Sequence, residues 1–235
     1  MRTKLKGYKL SGFTRPITRI RYNIDGDLLF VSGKEHTIFS WRGSDFEPFC
    51  SYSGHKGAIN DIYVQDDSKK LISASADSSL AIWDTETCKV LHRMNEKGSF
   101  ILCGISLSCE MLFYIYMPDS TSYVLNVHEL EGNHTLIYKK ECKGVPTCAM
   151  WGFLDEHIII GLENGELVIF DLNSKSLKVN NAHKSKISDI QMSPDYLHFI
   201  TCSQDTTVLV GLILLSLSYG MLLHLTRYHM KLDLI

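Results

Sequence analysis

Residues 53–84, SGHKGAINDIYVQDDSKKLISASADSSLAIWD, constrain this chain more than any other stretch, because their landmarks return at a fixed interval. The segment opens on Gly54-His55 and closes on Trp83-Asp84. Between them Ile59–Gln65 alternates apolar and polar residues, and Lys70–Ser75 is a short Leu/Ile-rich run. A turn at Ala76-Asp77-Ser78-Ser79 leads into Leu80–Trp83, and Lys89–Met94 supplies a fourth run after the polar link Thr85–Cys88. Alternation with period two, cut by turn residues, predicts four short antiparallel strands.

The Trp83 position recurs along the chain. Trp41 lies 42 residues earlier, Val127 44 later, Phe170 another 43 on, and Gly211 another 41. The opening motif keeps the same beat at Gly12-Phe13, Gly54-His55 and Ala182-His183. Four strands repeated every 40–45 residues between Gly-His and Trp-Asp resemble the blades of a WD40 β-propeller. The expected fold is therefore all-β: a partial propeller over 1–210, with blades near 12–52, 53–96, 97–140, 141–180 and 181–210. That is about five of an expected seven blades. In unit one Phe13 stands where the His belongs and Glu35 where Asp77 belongs; unit three keeps strand character without the landmarks; unit four ends in Phe170-Asp171.

Within unit two His55, Ser73, Asp77 and Trp83 can form one hydrogen-bonded set. The ionised carboxylate can accept from the imidazole, which can donate in turn toward the hydroxyl, and the hydroxyl toward the indole N–H. Unpaired, such buried groups would cost about 1–3 kcal/mol each. His183, Thr201 and Asp205 repeat the spacing in unit five. Ser, His and Asp together also invite a hydrolase reading. The tryptophan in the same set, its recurrence and the lack of a nucleophile elbow favour a structural role. The chain contains no P-loop, no H-E-x-x-H and no C-x-x-C, so no catalytic residue, cofactor or metal is expected. The other histidines, His36, His92, His128, His134, His157, His198, His224 and His229, show no metal-ligand spacing, and most read as exposed strand ends.

A net charge of −2 with mixed signs leaves no basic field for direct nucleic-acid binding. Seven cysteines in no paired motif read as buried, reduced thiols of a cytosolic protein rather than a disulfide framework or zinc site. The basic N-terminus MRTKLKGYKL lacks the apolar run of a secretory signal.

After Asp205 the pattern breaks, with Gly211 where a Trp is due. Residues 211–235 lack turn signals and strand alternation. Gly211–Leu225 is apolar, yet its 15 residues fall short of the roughly 20 that span a bilayer. The expectation is a divergent apolar tail outside the propeller, not a membrane anchor, arising from an altered reading frame, a retained intron or an alternative exon.

Four stretches carry a more specific resemblance: ITRIRYNIDGDLLF (17–30), SADSSLAIWDTETCKVL (75–91), AMWGFLDEHIIIGLENGEL (149–167) and AHKSKISDIQMSPDYLHFITCSQDT (182–206). They resemble the subunit i family of eukaryotic translation initiation factor 3, over about residues 8–210. The resemblance implies a cytoplasmic, seven-bladed, non-catalytic scaffold that docks the b and g subunits and helps recruit messenger and initiator transfer RNA to the small ribosomal subunit. It implies a candidate partner contact at Gln204, Asp205 and Thr206; Asp205 also reads as the turn aspartate of its own blade. A generic WD40 adaptor in signalling or ubiquitin ligation is the alternative, together with a truncated form without function. A five-unit arc would leave its first and last blades uncovered, and the strand near Tyr8–Leu10 without a partner.

Overall fold

The computed structural model describes residues 7, 9–194, 197–214 and 222–228. They form five four-stranded antiparallel sheets, each in chain order from inner to outer strand. Blade one comprises β1 (Ile17–Tyr22), β2 (Leu28–Gly33), β3 (Thr37–Arg42) and β4 (Pro48–Ser53). Blade two follows with β5 (Ile59–Val64), β6 (Lys70–Ser75), β7 (Ser79–Asp84) and β8 (Val90–Asn95). Blade three is built from β9 (Ser99–Ile105), β10 (Met111–Met117), β11 (Ser122–Glu129) and β12 (Leu136–Lys143). Blade four contains β13 (Pro146–Trp151), β14 (His157–Leu162), β15 (Glu166–Asp171) and β16 (Ser176–Asn181). Blade five has β17 (Ile187–Met192), β18 (His198–Ser203), β19 (Val208–Leu214) and β20 (Leu222–Tyr228).

The core lies in the seams between blades. Phe30, Ile38 and Tyr52 of blade one pack on Ile59, Ile62, Leu71 and Trp83 of blade two. Equivalent clusters fill the next three seams, where the middle strands are buried on both faces and read as apolar runs. Removing apolar surface at about 25 cal/mol per Å² makes these seams the main source of cohesion. The two end faces lack such a cover among the described residues. Ile17, Ile20 and Tyr22 of β1 are 51–57 % exposed, and Ile200 of β18 is 46 % exposed.

Register explains how the degraded landmarks are tolerated. The five landmark positions all face the same place on their neighbouring strand: Trp41 on Leu29, Trp83 on Leu71, Val127 on Phe113, Phe170 on Ile158 and Gly211 on Phe199. Where the landmark is small, its partner is Phe. A side chain on Gly211 would run into the Phe199 ring, so the missing tryptophan is replaced from the opposite strand.

Three observations differ from the sequence expectations. The sheet does not stop at 210. β19 runs to Leu214, and Leu222–Tyr228, expected in a tail outside the propeller, pairs with it as the outer strand of blade five. Strand pairing needs only an open edge and matching length, so the missing polar–apolar alternation gave no warning. The remainder of the expected tail, including His229, lies outside the described residues. Second, Cys50 and Cys88 are joined by a disulfide, their Cα atoms 6.6 Å apart. They sit 38 residues apart, off the blade period, one on β4 and one in the turn before β8, which only the folded seam brings together. Third, of the histidines read as mostly exposed strand ends only His36 is exposed among the described side chains: His92, His128, His134 and His198 are half-buried, and His157 is buried at the start of β14 beside Asp171. Lys9 and Leu10 belong to no strand, and Leu10 instead packs against the small cluster of Leu29, Val31 and Trp41.

Candidate interaction face

The turns between second and third strands present one rim of the arc. In blade two a left-handed Ser78 (φ 68°) closes the turn, and Asp77 holds it together. One carboxylate oxygen accepts from the N–H of Ser79 at 3.1 Å and its hydroxyl at 2.5 Å. The other accepts from the N–H of Lys56 at 2.7 Å and meets His55 Nδ1 at 2.9 Å. His55 Nε2 lies 2.7 Å from Ser73 Oγ, which accepts from Trp83 Nε1 at 2.8 Å.

Proton positions follow from this geometry. Burial pushes the His55 pKa down against the pull of Asp77, so the ring is neutral. With its proton on Nδ1 facing the carboxylate, Nε2 must accept from the Ser73 hydroxyl. The relay thus runs from indole to hydroxyl to imidazole to carboxylate. Burial works against the charge on Asp77, but the Ser79 hydroxyl, the Lys56 N–H and His55 together hold its pKa at about 2. Ser73 and Trp83 are fully buried. A substrate cannot reach that hydroxyl, and the set serves the fold.

Blade five repeats the arrangement without the indole. His183 Nε2 lies 2.9 Å from Thr201 Oγ1, and its Nδ1 lies 3.2 Å from Asp205 and 3.0 Å from Thr207. Asp205 also accepts from the N–H of Lys184 at 2.8 Å and of Thr207 at 2.9 Å. Burial raises the Asp205 pKa, yet these donors bring it below the usual carboxylate value. Its carboxylate is therefore committed inward. Gln204 and Thr206 on either side are exposed and form the outward part of this turn.

Two recurring features escape a reading centred on tryptophan. The turn carboxylate or amide is the most persistent landmark: Glu35, Asp77, Asp119, Asn164 and Asp205 fall 41–45 residues apart. Glu35 accepts from the N–H of Thr14 at 2.6 Å, the counterpart of the Lys56 contact. Asp119 accepts from the N–H of Thr121 at 2.7 Å, and Asn164 from that of Glu166 at 3.1 Å. The second feature sits on the inner strands, whose register slips at Thr18, Asn60, Ile101, Thr147 and Ser188. Such bulges re-aim a side chain. Thr18 Oγ1 donates to the Ile59 carbonyl at 2.7 Å, Asn60 to that of Phe100 at 2.6 Å, and Thr147 to that of Ile187 at 2.6 Å. Each bond latches a blade to the next.

Inside the arc the inner strands surround a cavity of about 300 Å³ lined by Arg19, Arg21, Asp61, Asp66 and Asp189. Arg19 Nε lies 2.8 Å from Asp61, whose carboxylate raises the guanidinium pKa. Asp61 also accepts from the N–H of Cys103 at 3.1 Å, which ties three blades at the axis. Among the described residues no three His, Cys, Asp or Glu side chains gather closely enough to share a metal ion. No helix among them is long and apolar enough to cross a membrane.

With this geometry in view, known proteins place the chain. The family model described as WD domain, G-beta repeat, matches residues 46–84 and 174–210. Eukaryotic translation initiation factor 3 subunit I of Xenopus tropicalis is 34 % identical over 214 residues, covering 84 % of this chain and 63 % of that protein. The subunit of the same name in Homo sapiens is 33 % identical over 211 residues, with coverage of 86 % and 65 %. The chain thus spans just under two thirds of the length of these relatives. Among solved structures, the β-propeller domain of Cps50 (Swd1) from Myceliophteria thermophila superposes with a TM-score of 0.76 at 14 % identity. The match covers 92 % of this chain and 72 % of that domain, a likeness of fold alone.

Proposed function

We propose, for a chain that belongs to the WD40-repeat family of eukaryotic translation initiation factor 3 subunit I, a role as a non-catalytic docking module of the translation initiation apparatus. The observation that carries this reading is the 33–34 % identity to subunit I proteins over 84–86 % of the chain, a span far longer than one generic repeat. The site chemistry supports it. Ser73, His55 and Asp77 direct their polar groups at one another, which leaves the buried Ser73 hydroxyl inaccessible as a nucleophile.

On this reading the exposed rim turns contact other subunits of the factor, b and g first among them, and through them the small ribosomal subunit in the cytoplasm. Loops on a rigid sheet scaffold are where such contacts form. Gln204 and Thr206 are the candidate contact positions, with Asp205 fixing the turn between them.

Co-sedimentation tests the proposal. Epitope-tagged chain expressed in cells is run on sucrose gradients after mild crosslinking. The expected result is a fraction of the chain with small ribosomal subunits, together with initiation factor 3 subunits in the tagged pull-down. Folded chain confined to the top of the gradient, with none of those subunits captured, overturns it.

A further inference from the structure

The seam between blades one and two carries a covalent link that the rest of the fold does not require. Cys50 lies on outer strand β4, and Cys88 lies in the turn before β8, at a left-handed φ of 59°. Both are half-buried and pack on the rim of the apolar cluster around Tyr52 and Trp83. From their position we propose that Cys50 and Cys88 form a reversible redox clasp fastening blade one to blade two.

The two ends of the clasp are held independently of the bond. The turn before β8 is organised by Asp84, which accepts from the N–H groups of Glu86 at 3.1 Å and Thr87 at 2.7 Å. The N–H of Cys88 donates to the Asp84 carbonyl at 3.0 Å. On the other strand Tyr52, two residues from Cys50, donates its hydroxyl to the Thr85 carbonyl at 3.0 Å. These hydrogen bonds keep the two cysteines facing each other when reduced. Their Cα separation of 6.6 Å lies within the span a disulfide bridges.

Three of the other thiols compete poorly. The other five cysteines are free. Burial pushes the thiol of Cys103 far up and that of Cys148 to about 11, and it raises Cys142 as well. Thiols held protonated are poor nucleophiles. Cys50 also borders a cleft of about 390 Å³ lined by Phe39 and Phe49.

The oxidant is a low-molecular-weight disulfide of the glutathione class. One cysteine thiolate attacks it, forming a mixed disulfide and releasing one glutathione thiolate. The second cysteine thiolate then attacks the protein sulfur and releases the other. Two protein thiols are oxidised, one small disulfide is reduced, and the two protons leave on two glutathione thiols. Among the described residues blade one, like blade five, packs on a neighbour through one face only, so a fastening here restrains an end blade.

The full chain is equilibrated in reduced and oxidised glutathione mixtures, quenched with acid, denatured, alkylated and read by mass spectrometry. The expected result is seven alkylated cysteines at the reducing end. At the oxidising end five are expected, with an intact peptide linking Cys50 to Cys88. Reduction is expected to lower Tm by roughly 5–10 °C. Neither Cys50→Ser nor Cys88→Ser should show that shift, and either variant suffices if the other fails to fold. Seven alkylated cysteines under oxidising conditions, a bond through any other cysteine, or an equal Tm shift in the variants overturns the clasp.

Discussion

Ser73 is the residue on which blade two's buried polar set turns, since it accepts from Trp83 and donates to His55. Ser73→Ala leaves an indole N–H and an imidazole nitrogen unpaired in a site without water access. The expected loss is about 1–3 kcal/mol for such orphaned groups, read from the urea midpoint. An unchanged midpoint would mean the relay does not form. Acid should act on the same set. The His55 pKa is lowered in the fold, so the unfolded chain binds the extra proton. Stability is full above about 6.5 and declines as pH falls from there through the lowered folded value. The Asp77 pKa is also lowered, and its contribution is lost in a second window between 3.8 and about 2. Thermal melts against pH should therefore fall in two steps, with the upper step smaller in His55→Ala; buried His157, whose pKa is also lowered by desolvation, supplies the rest of it. This set was legible in the sequence because its members keep fixed spacings around their turn. The direction of its hydrogen bonds was not, because that depends on which imidazole nitrogen faces the carboxylate.

Each pair of facing strands places one large aromatic ring at the landmark position, on one strand or the other. Leu opposes Trp in the first two blades, while Phe opposes Val127 and Gly211. Gly211→Trp alone should fail, since even a Cβ meets the Phe199 ring. Combined with Phe199→Leu it recreates the pair of blade two. The double variant is expected to recover most of the loss, with a coupling of about 1 kcal/mol or more in a double-mutant cycle. Additive losses would show that the two positions do not share one space. A single strand read by itself reports Gly211 as a defect, and only the register with β18 reveals the compensation. The strand at Leu222–Tyr228 escaped for a related reason: pairing with β19, not its own pattern, makes it a strand.

At the scale of the molecule, the periodic beat correctly implied five sheets arranged around an axis, because each unit must bury its faces on its neighbours. The two terminal faces follow from the same reasoning. Ile17, Ile20 and Tyr22 at one end and Ile200 at the other present apolar surface to solvent. Such patches predict self-association on warming. Ile20→Lys should reduce light scattering and dye binding while shifting the urea stability by no more than about 0.5 kcal/mol, as expected of an exposed position. Scattering that does not change would locate the association elsewhere. The disulfide lay beyond sequence reasoning, since nothing in the spacing of Cys50 and Cys88 marks them as neighbours. The inner-strand latches carry a different lesson. Thr18, Asn60 and Thr147 each donate forward, to a carbonyl that the ribosome has not yet made when the donor emerges. Each of these three blades can therefore mature with its own hydroxyl or amide still hydrated and then capture its successor. Assembly acquires the polarity of synthesis itself, and a repeat gene can lengthen by duplication at its downstream end without rewriting the blades already there.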